Sequence, residues 1–372
     1  MTLNAPVGAF GLPERLPPTD DDAVQLRRAT TARLHALLGG PPGVELTSSC
    51  THAMEAAAVV LGVGPGDEVV VPAFTFPSTA NAFLLGGATI RFADVDPATG
   101  NVDPASVERV SGPRTKVVVC THYGGVACDV DALGGLCRDG GWHLVEDAAH
   151  GIFATYRGTP LGRFGTFAAL SFHRTKNVSS IDGGALVVNS PELVEPSLVA
   201  IDKGTNRAAF DEGRVTSYEW CGPGSAWRMP DPMVQLLAAQ LEQADGMQRV
   251  RHHVWGRYHR ELADWAGELG ATLPVVPDGC EHPAHLYWLV LPAGVDRADF
   301  VQHCGERGVQ VARHYGSLPD STYGRRIRHP DDDCPAAAVL GEQLVRLPLH
   351  HLLTDDDVDR VVAAVTSFRP SP

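Results

Sequence analysis

The segment 168-AALSFHRTKNVSSIDGGALVVN-189 holds two short apolar runs separated by a polar loop that carries Lys176 and closes on a Gly-Gly pair. Neither run alternates apolar with polar residues. Each reads as a strand buried on both faces, the mark of an interior strand in an α/β sheet. The lysine stands out by its rarity: of the 30 Lys and Arg positions, Lys116, Lys176 and Lys203 are lysine and the rest arginine. Where this chain needs only positive charge, it uses arginine. A lysine at a buried strand end is therefore a candidate for amine chemistry, because a guanidinium stays protonated and acts as neither nucleophile nor base.

The same texture extends outward. After a Pro-rich lead, residues 20–40 read as a helix with Val24, Leu26, Ala29, Leu34, Leu37 and Leu38 on one face and Gly39-Gly40 as its stop. Then "VELTSSCTHAMEAAAVVLGVGPGDEVVVPAF" predicts strand, Ser/Thr turn, Ala-rich helix, Gly-Pro-Gly turn and strand. Further strands are predicted at "ATIRFADVD", "TKVVVCTHYGG" and "WHLVEDAAH". Val-rich strands alternating with helices predict an α/β fold with a large, mostly parallel sheet covered on both faces. From Pro230 to about Trp265 a long helical pattern marks the joint to a smaller α+β unit: strand "HLYWLVLP", helix "RADFVQHCGERG", strand "VRLPLHH" and a last helix capped by Thr354. The expected division is a large domain over 1–240, including the lead, and a small C-terminal domain over 241–372.

Bulk properties exclude several classes. A formal net charge of −14 argues against a nucleic-acid binder, which needs a basic face, but leaves room for a phosphorylated ligand in a local basic pocket. The start shows no basic-then-apolar leader, and no run reaches the ~20 apolar residues of a membrane span. A cytoplasmic protein is expected. Eight cysteines occur and none forms a C-x-x-C pair; they read as reduced thiols, and no metal site is expected.

In open α/β sheets ligands bind beyond the carboxyl ends of the strands, and the chemistry-bearing residues fall there. Ser48, Ser49, Cys50 and Thr51 open a helix whose free N–H groups favour an anion, although Ser and Thr also simply cap helices. Phe74 and Phe76 follow a strand end, where an aromatic covers a flat ring or packs the core. Strand alternation sends Glu146 to the face of Leu144 and Asp147 to the other. A carboxylate at Asp147 would pair with a buried cation or cap a helix. With Lys176, these are the four contacts of pyridoxal 5′-phosphate (PLP): a phosphate site, an aromatic lid, a carboxylate for the pyridine nitrogen and an amine for the aldehyde. A dinucleotide reading fails, because no G-x-G-x-x-G follows the first strand and "LGVGPGDE" follows a helix; no Walker loop is present.

The motifs "SCTHAMEAA", "GVGPGDEVVVPAFTFPSTANAFLLGGATIRFADVDPATGNVD", "THYGGVACD", "VEDAAHG", "SFHRTKN", "DGGALVVN" and "RLPLHHLLTDDDVDRVV" resemble, in order, those of the DegT/DnrJ/EryC1/StrS sugar aminotransferases, PLP enzymes of the aspartate-aminotransferase fold (fold type I). Within that family "THYGGVACD", "KGTNR" and "ARHY" look most like the dTDP-4-oxo-6-deoxyglucose transaminases. The resemblance implies that Lys176 carries the Schiff base, Asp147 holds the pyridine nitrogen, Ser171 and the backbone at Thr51 and His52 bind the phosphate, and Phe76 stacks on the ring. His150 stands where the family has glutamine. The family's phosphate-binding asparagine, given by the partner subunit, falls at Ala226, with Ser225 and Asn206 as the polar candidates to replace it. A homodimer with a shared site is implied. So are L-glutamate as donor, a nucleotide-linked 4-keto-6-deoxy sugar as acceptor, and Arg313, His314 and Tyr315 as sugar-nucleotide contacts. Three rivals share the fold: a transaminase acting at C3 of the sugar; a sugar dehydratase, which in the family replaces the lysine by histidine; and a non-catalytic regulator, which would lose the lysine or the carboxylate.

Overall fold

The structure, a computed structural model, describes residues 20–370; the Pro-rich lead lies outside them. The helix α1 (Asp20–Leu37) ends where Gly39 and Gly40 take positive φ. The large sheet is built from β1 (Gly43–Thr47), β2 (Glu68–Pro72), β3 (Thr89–Ala93), β4 (Thr115–Thr121) and β5 (His143–Asp147). A small hairpin of β6 (Thr155–Tyr156) and β7 (Thr159–Pro160) intervenes before β8 (Phe167–Ser171) and β9 (Gly184–Val188) complete the sheet. The order of the seven-stranded sheet is β1-β9-β8-β5-β4-β2-β3. The four pairings from β8 to β3 are parallel, and β9 pairs antiparallel with both β8 and β1. The two runs around Lys176 are thus neighbouring strands, and the lysine lies in the loop between them.

The strands carry β-branched residues on both sides because both sides are covered. Val69, Val71, Val117, Val119 and Val145 pack into one core and Val70, Val118 and Leu144 into another. Fully burying each such side chain is worth roughly 1.5–3 kcal/mol. The helix α2 (Cys50–Val60) lies across β8 and β9. It follows β1 with no room to spare: a Cβ on Gly184 would stand 2.4 Å from the backbone nitrogen of Cys50. The helix α3 (Pro77–Leu84) packs on α2.

The long helical pattern is a helix over Asp231–Glu261, followed after Leu262 by a separate helix over Ala263–Leu269. Beyond it, β10 (Cys280–Glu281) adds to the β6–β7 hairpin. The strands β11 (Tyr287–Val290) and β12 (Leu344–Leu347) form a two-stranded antiparallel sheet. Tyr287, Leu289, Val345 and Leu347 face a second core with the helices Arg297–Glu306 and Asp355–Thr366. Trp288 and Leu344, on the opposite pleat, belong to the core of the large sheet. One short sheet thus serves two cores. Among the described residues no helix is long and apolar enough to cross a membrane.

Candidate active site

Three strands end at one place. Thr121 closes β4, Asp147 closes β5 in register with it, and Ser171 closes β8. Opposite them stands the N-terminus of α2. Together they enclose a cavity of about 700 Å³ lined by Thr51, His52, Phe76, Asp147, His150, Ser171, Lys176, His314 and Tyr315, along with Cys50, Ser78, Thr121 and Arg346.

The two acids of "VED" part as the pleat requires. Glu146 points away from the cavity and accepts the backbone N–H groups of Gly162, Phe164 and Gly165 at 2.8, 2.7 and 2.7 Å, with His122 Nε2 at 2.9 Å. It ties the loop after β7 to the sheet. Asp147 points the other way, into the cavity. Thr79 Oγ1 donates to its Oδ2 at 2.7 Å and the Ala149 N–H to its Oδ1 at 3.2 Å. Thr75 extends this relay to both Thr79 and Thr121 at 2.9 Å. The carboxylate is thus fixed in direction.

Lys176 is held by a turn in which its N–H donates to His173 O at 2.8 Å. Burial pushes its ammonium down to about 8; the charge of Asp147 opposes that shift and does not cancel it. At the far end, Ser49 caps α2 by accepting the His52 N–H at 3.1 Å. Ser48 Oγ meets His52 Nδ1 at 2.7 Å, and Thr51 Oγ1 donates to Ser78 Oγ at 2.8 Å. Phe76 stands at the entrance, 54% exposed, while Phe74 is buried in the core.

His150 is fixed in one tautomer. The Gly124 N–H donates to its Nδ1 at 3.2 Å, so the ring proton is on Nε2, which faces the Tyr315 hydroxyl at 3.3 Å. His285 stacks on it with ring centroids 4.3 Å apart. Burial holds both imidazoles well below their ordinary pKa, so both are neutral. The Tyr123 hydroxyl lies 3.1 Å from both the carbonyl and Nδ1 of His314.

Arg313, Asn206 and Ser225 stand outside this cavity, the last two being expected in the partner subunit's site. Arg313 does not line the cavity: Ala312 pairs with Arg346, and the next residues alternate, so His314 turns inward and Arg313 outward, exposed and near Arg297. Asn206 accepts the Glu219 N–H at 2.8 Å and donates to Ser217 O at 3.0 Å, closing an exposed loop. Ser225 is also exposed, its N–H bonded to Ala200 O at 3.0 Å. Neither lines the cavity of its own chain. Conversely, sequence reasoning passed over Thr79 and Arg346. Arg346 left a trace, a charge inside the apolar run "VRLPL"; Thr79 left none. Folding also brings Cys120, His122 and Cys128 together, with donor atoms within 4.8 Å, although no metal site was expected. Both His122 nitrogens are engaged, Nε2 by Glu146 and Nδ1 by the Cys128 N–H at 3.1 Å.

An enclosed amine of lowered pKa, a directed carboxylate and a capped helix N-terminus around one cavity form the donor set for a pyridine aldehyde bearing a phosphate, which defines a PLP-dependent enzyme. Side chains on Gly183 and Gly184 would collide with Ser180 and with the start of α2, so these two glycines let β9 approach the helix that opens onto the cavity. The chain belongs to the DegT/DnrJ/EryC1/StrS aminotransferase family, whose model matches residues 32–366. It is similar to the spore coat polysaccharide biosynthesis protein SpsC of Bacillus subtilis, 35% identical over 326 residues, which cover 86% of this chain and 83% of that one. Among solved structures it is similar to the aminotransferase TlmJ from Streptoalloteichus hindustanus, with TM-score 0.84, 30% identity and 95% and 96% of the two chains covered. It is also similar to S. venezuelae DesV in complex with a ketimine intermediate, with TM-score 0.83, 28% identity and 95% and 90% covered. The fold is that of the PLP-dependent aminotransferases, and PLP is the cofactor.

Proposed function

We propose that this enzyme transfers the amino group of L-glutamate to a dTDP-linked 4-keto-6-deoxy sugar, giving a dTDP-4-amino-4,6-dideoxyhexose, and that it works in the cytoplasm as a homodimer with shared active sites. The observation that carries this reading is Lys176, enclosed beside Asp147 at the strand ends and facing the cavity that α2 opens into. PLP supplies an electron sink for carbon acid chemistry. The chain supplies the rest. Asp147, oriented by Thr79 and the Ala149 N–H, keeps the proton on the pyridine nitrogen. The amides at Thr51 and His52, with Ser171, hold the phosphate, favoured by the positive end of the helix dipole. Phe76 covers one ring face. His150, donating through Nε2, takes the place of an amide donor beside the ring hydroxyl. Lys176 tethers the cofactor and, once released, takes the proton from the donor α-carbon; its lowered pKa leaves a useful fraction as free amine at neutral pH. His314 and Tyr315 border the cavity on the side of the sugar nucleotide. Ser225 and Asn206, outside the cavity of their own chain, are placed by this reading against the phosphate of the partner subunit.

The test is incubation of the purified enzyme with PLP, L-glutamate and dTDP-4-oxo-6-deoxyglucose, with the product's sugar carbons assigned by NMR. Amination at C4 is expected. Amination at C3 only, or no amination while glutamate is consumed with another acceptor, would overturn the substrate assignment. The Lys176→Ala variant is expected to show no turnover.

A further inference from the structure

The end of β4 reads Cys120-Thr121-His122, and the pleat that parts Glu146 from Asp147 divides these residues too. Thr121 turns to the cavity. Cys120 and His122, on either side of it, turn to the opposite face, where Glu146 stands in register with Cys120. The chain then reverses through the turn Tyr123–Gly125 and brings Cys128 back behind the strand end. The Cys128 N–H donates to His122 Nδ1 at 3.1 Å, and its Sγ lies 3.3 Å from Thr121 O. Cys120, His122 and Glu146 are fully enclosed and Cys128 almost so. The ligand atoms of Cys120, His122 and Cys128 lie within 4.8 Å of one another.

The chemistry in the cavity uses none of these groups, which lie behind the sheet. Their neighbours on this face, Val70, Val118 and Leu144, are apolar, so packing does not call for an imidazole and a carboxylate among them. Two thiols and an imidazole suit a soft, closed-shell cation and not magnesium or calcium, which take oxygen donors. The imidazole is already set as a ligand. A metal-bound histidine usually donates its other ring N–H to a carboxylate, which fixes its tautomer and direction. Here Nε2 meets Glu146 at 2.9 Å, and three backbone N–H groups hold Glu146 in turn. Zinc–sulfur bonds of ~2.3 Å at a tetrahedral angle place two sulfurs ~3.8 Å apart. The cluster therefore closes on an ion when its donors move by about 1 Å. Two thiolates neutralise a zinc ion, and their protons leave as it binds. We propose that Cys120, Cys128 and His122 Nδ1 bind one zinc ion, with Thr121 O as an oxygen for the fourth position. The Cys128 N–H gives up Nδ1 in exchange, a loss of one hydrogen bond, which is about a tenth of the binding free energy of a structural zinc site. The ion stiffens the surroundings of the cofactor from behind, because Tyr123 in the same turn meets His314, which lines the cavity.

The test uses untagged, full-length holoenzyme from cells grown with added zinc and desalted without chelator. Elemental analysis is expected to find about one zinc per chain, and X-ray absorption at the zinc edge to find two sulfur neighbours at ~2.3 Å. Cys128→Ala should weaken zinc retention against a competing chelator by about a hundredfold, and Glu146→Gln by about 10–100-fold. Should the variants fail to fold, the wild type decides alone through its zinc content and sulfur shell. A wild type without stoichiometric zinc, zinc held by nitrogen and oxygen only, or a Cys120–Cys128 disulfide in place of the ion would each overturn the assignment. So would a folded Cys128→Ala variant that keeps its zinc as wild type does.

Discussion

Lys176 offers the sharpest quantitative test. Its ammonium is pushed from 10.5 to about 8, chiefly by burial, which is a bias of about 3.4 kcal/mol toward the free amine at 1.36 kcal/mol per unit. At pH 7 about one chain in ten then holds Lys176 neutral, against about one in three thousand for an ordinary lysine, a gain of about 300-fold in reactive amine. The perturbation is pH, applied to enzyme stripped of cofactor. PLP is added, the rate of chromophore formation is followed by stopped flow, and the adduct is fixed with borohydride and located by mass spectrometry. The rate should rise with pH and level off with a midpoint near 8. The same shift has a stability sign. Between about 8 and 10.5 the unfolded chain keeps a proton on this lysine that the folded chain has lost, so stability rises with pH through that window. Below about 8 both states are protonated and the full cost stands. Cavity water screens part of it, so about 3.4 kcal/mol is an upper bound for the gain from Lys176→Met in the apoprotein at pH 7. A capture midpoint near 10.5, or a Lys176→Met apoprotein less stable than wild type at pH 7, would refute the burial argument.

Asp147→Asn should lower turnover well beyond tenfold at saturating substrates, because an ion pair at ~4 Å in a medium of effective dielectric ~20 is worth about 4 kcal/mol; steady-state kinetics with near-normal kcat would remove it from the role. Gly184→Ala drives a methyl to within 2.4 Å of Cys50 N and should cost about 1–3 kcal/mol in denaturant melts while weakening PLP retention on dialysis. Glu146→Gln turns an acceptor of three backbone N–H groups and an imidazole N–H into a group with its own donors facing donors. It should cost about 1–3 kcal/mol in thermal unfolding and leave the pH midpoint of PLP capture in place.

Much of this was legible in the chain. The unbroken valine runs at Val69–Val71 and Val117–Val119 announced strands covered on both sides, and the pleat rule separated Glu146 from Asp147 before any coordinates. What could not be read were juxtapositions set by tertiary packing. Thr79 reaches Asp147 across 68 positions, and Thr is too common at helix starts to signal a carboxylate partner. Arg346 was visible as a charge among apolar residues, but which core its side of β12 faces depends on a sheet shared between two cores. Arg313 turns away from the cavity because the alternation after Ala312 follows its pairing with Arg346, a pairing the sequence does not show. Ser225 and Asn206 were expected in the partner subunit's site, and both stand outside the cavity of this chain.

The neighbouring acids of β5 also constrain how this enzyme can change. Their division of labour depends on parity alone: a single-residue insertion or deletion within His143–Asp147 would exchange the anchored carboxylate for the working one. Such an indel would aim the longer glutamate at the cavity and leave the aspartate to face the N–H groups of Gly162, Phe164 and Gly165. Lineages descended from this chain should therefore vary in length at the turn before this strand, around residues 140–142, while never altering the strand itself by an odd number of residues.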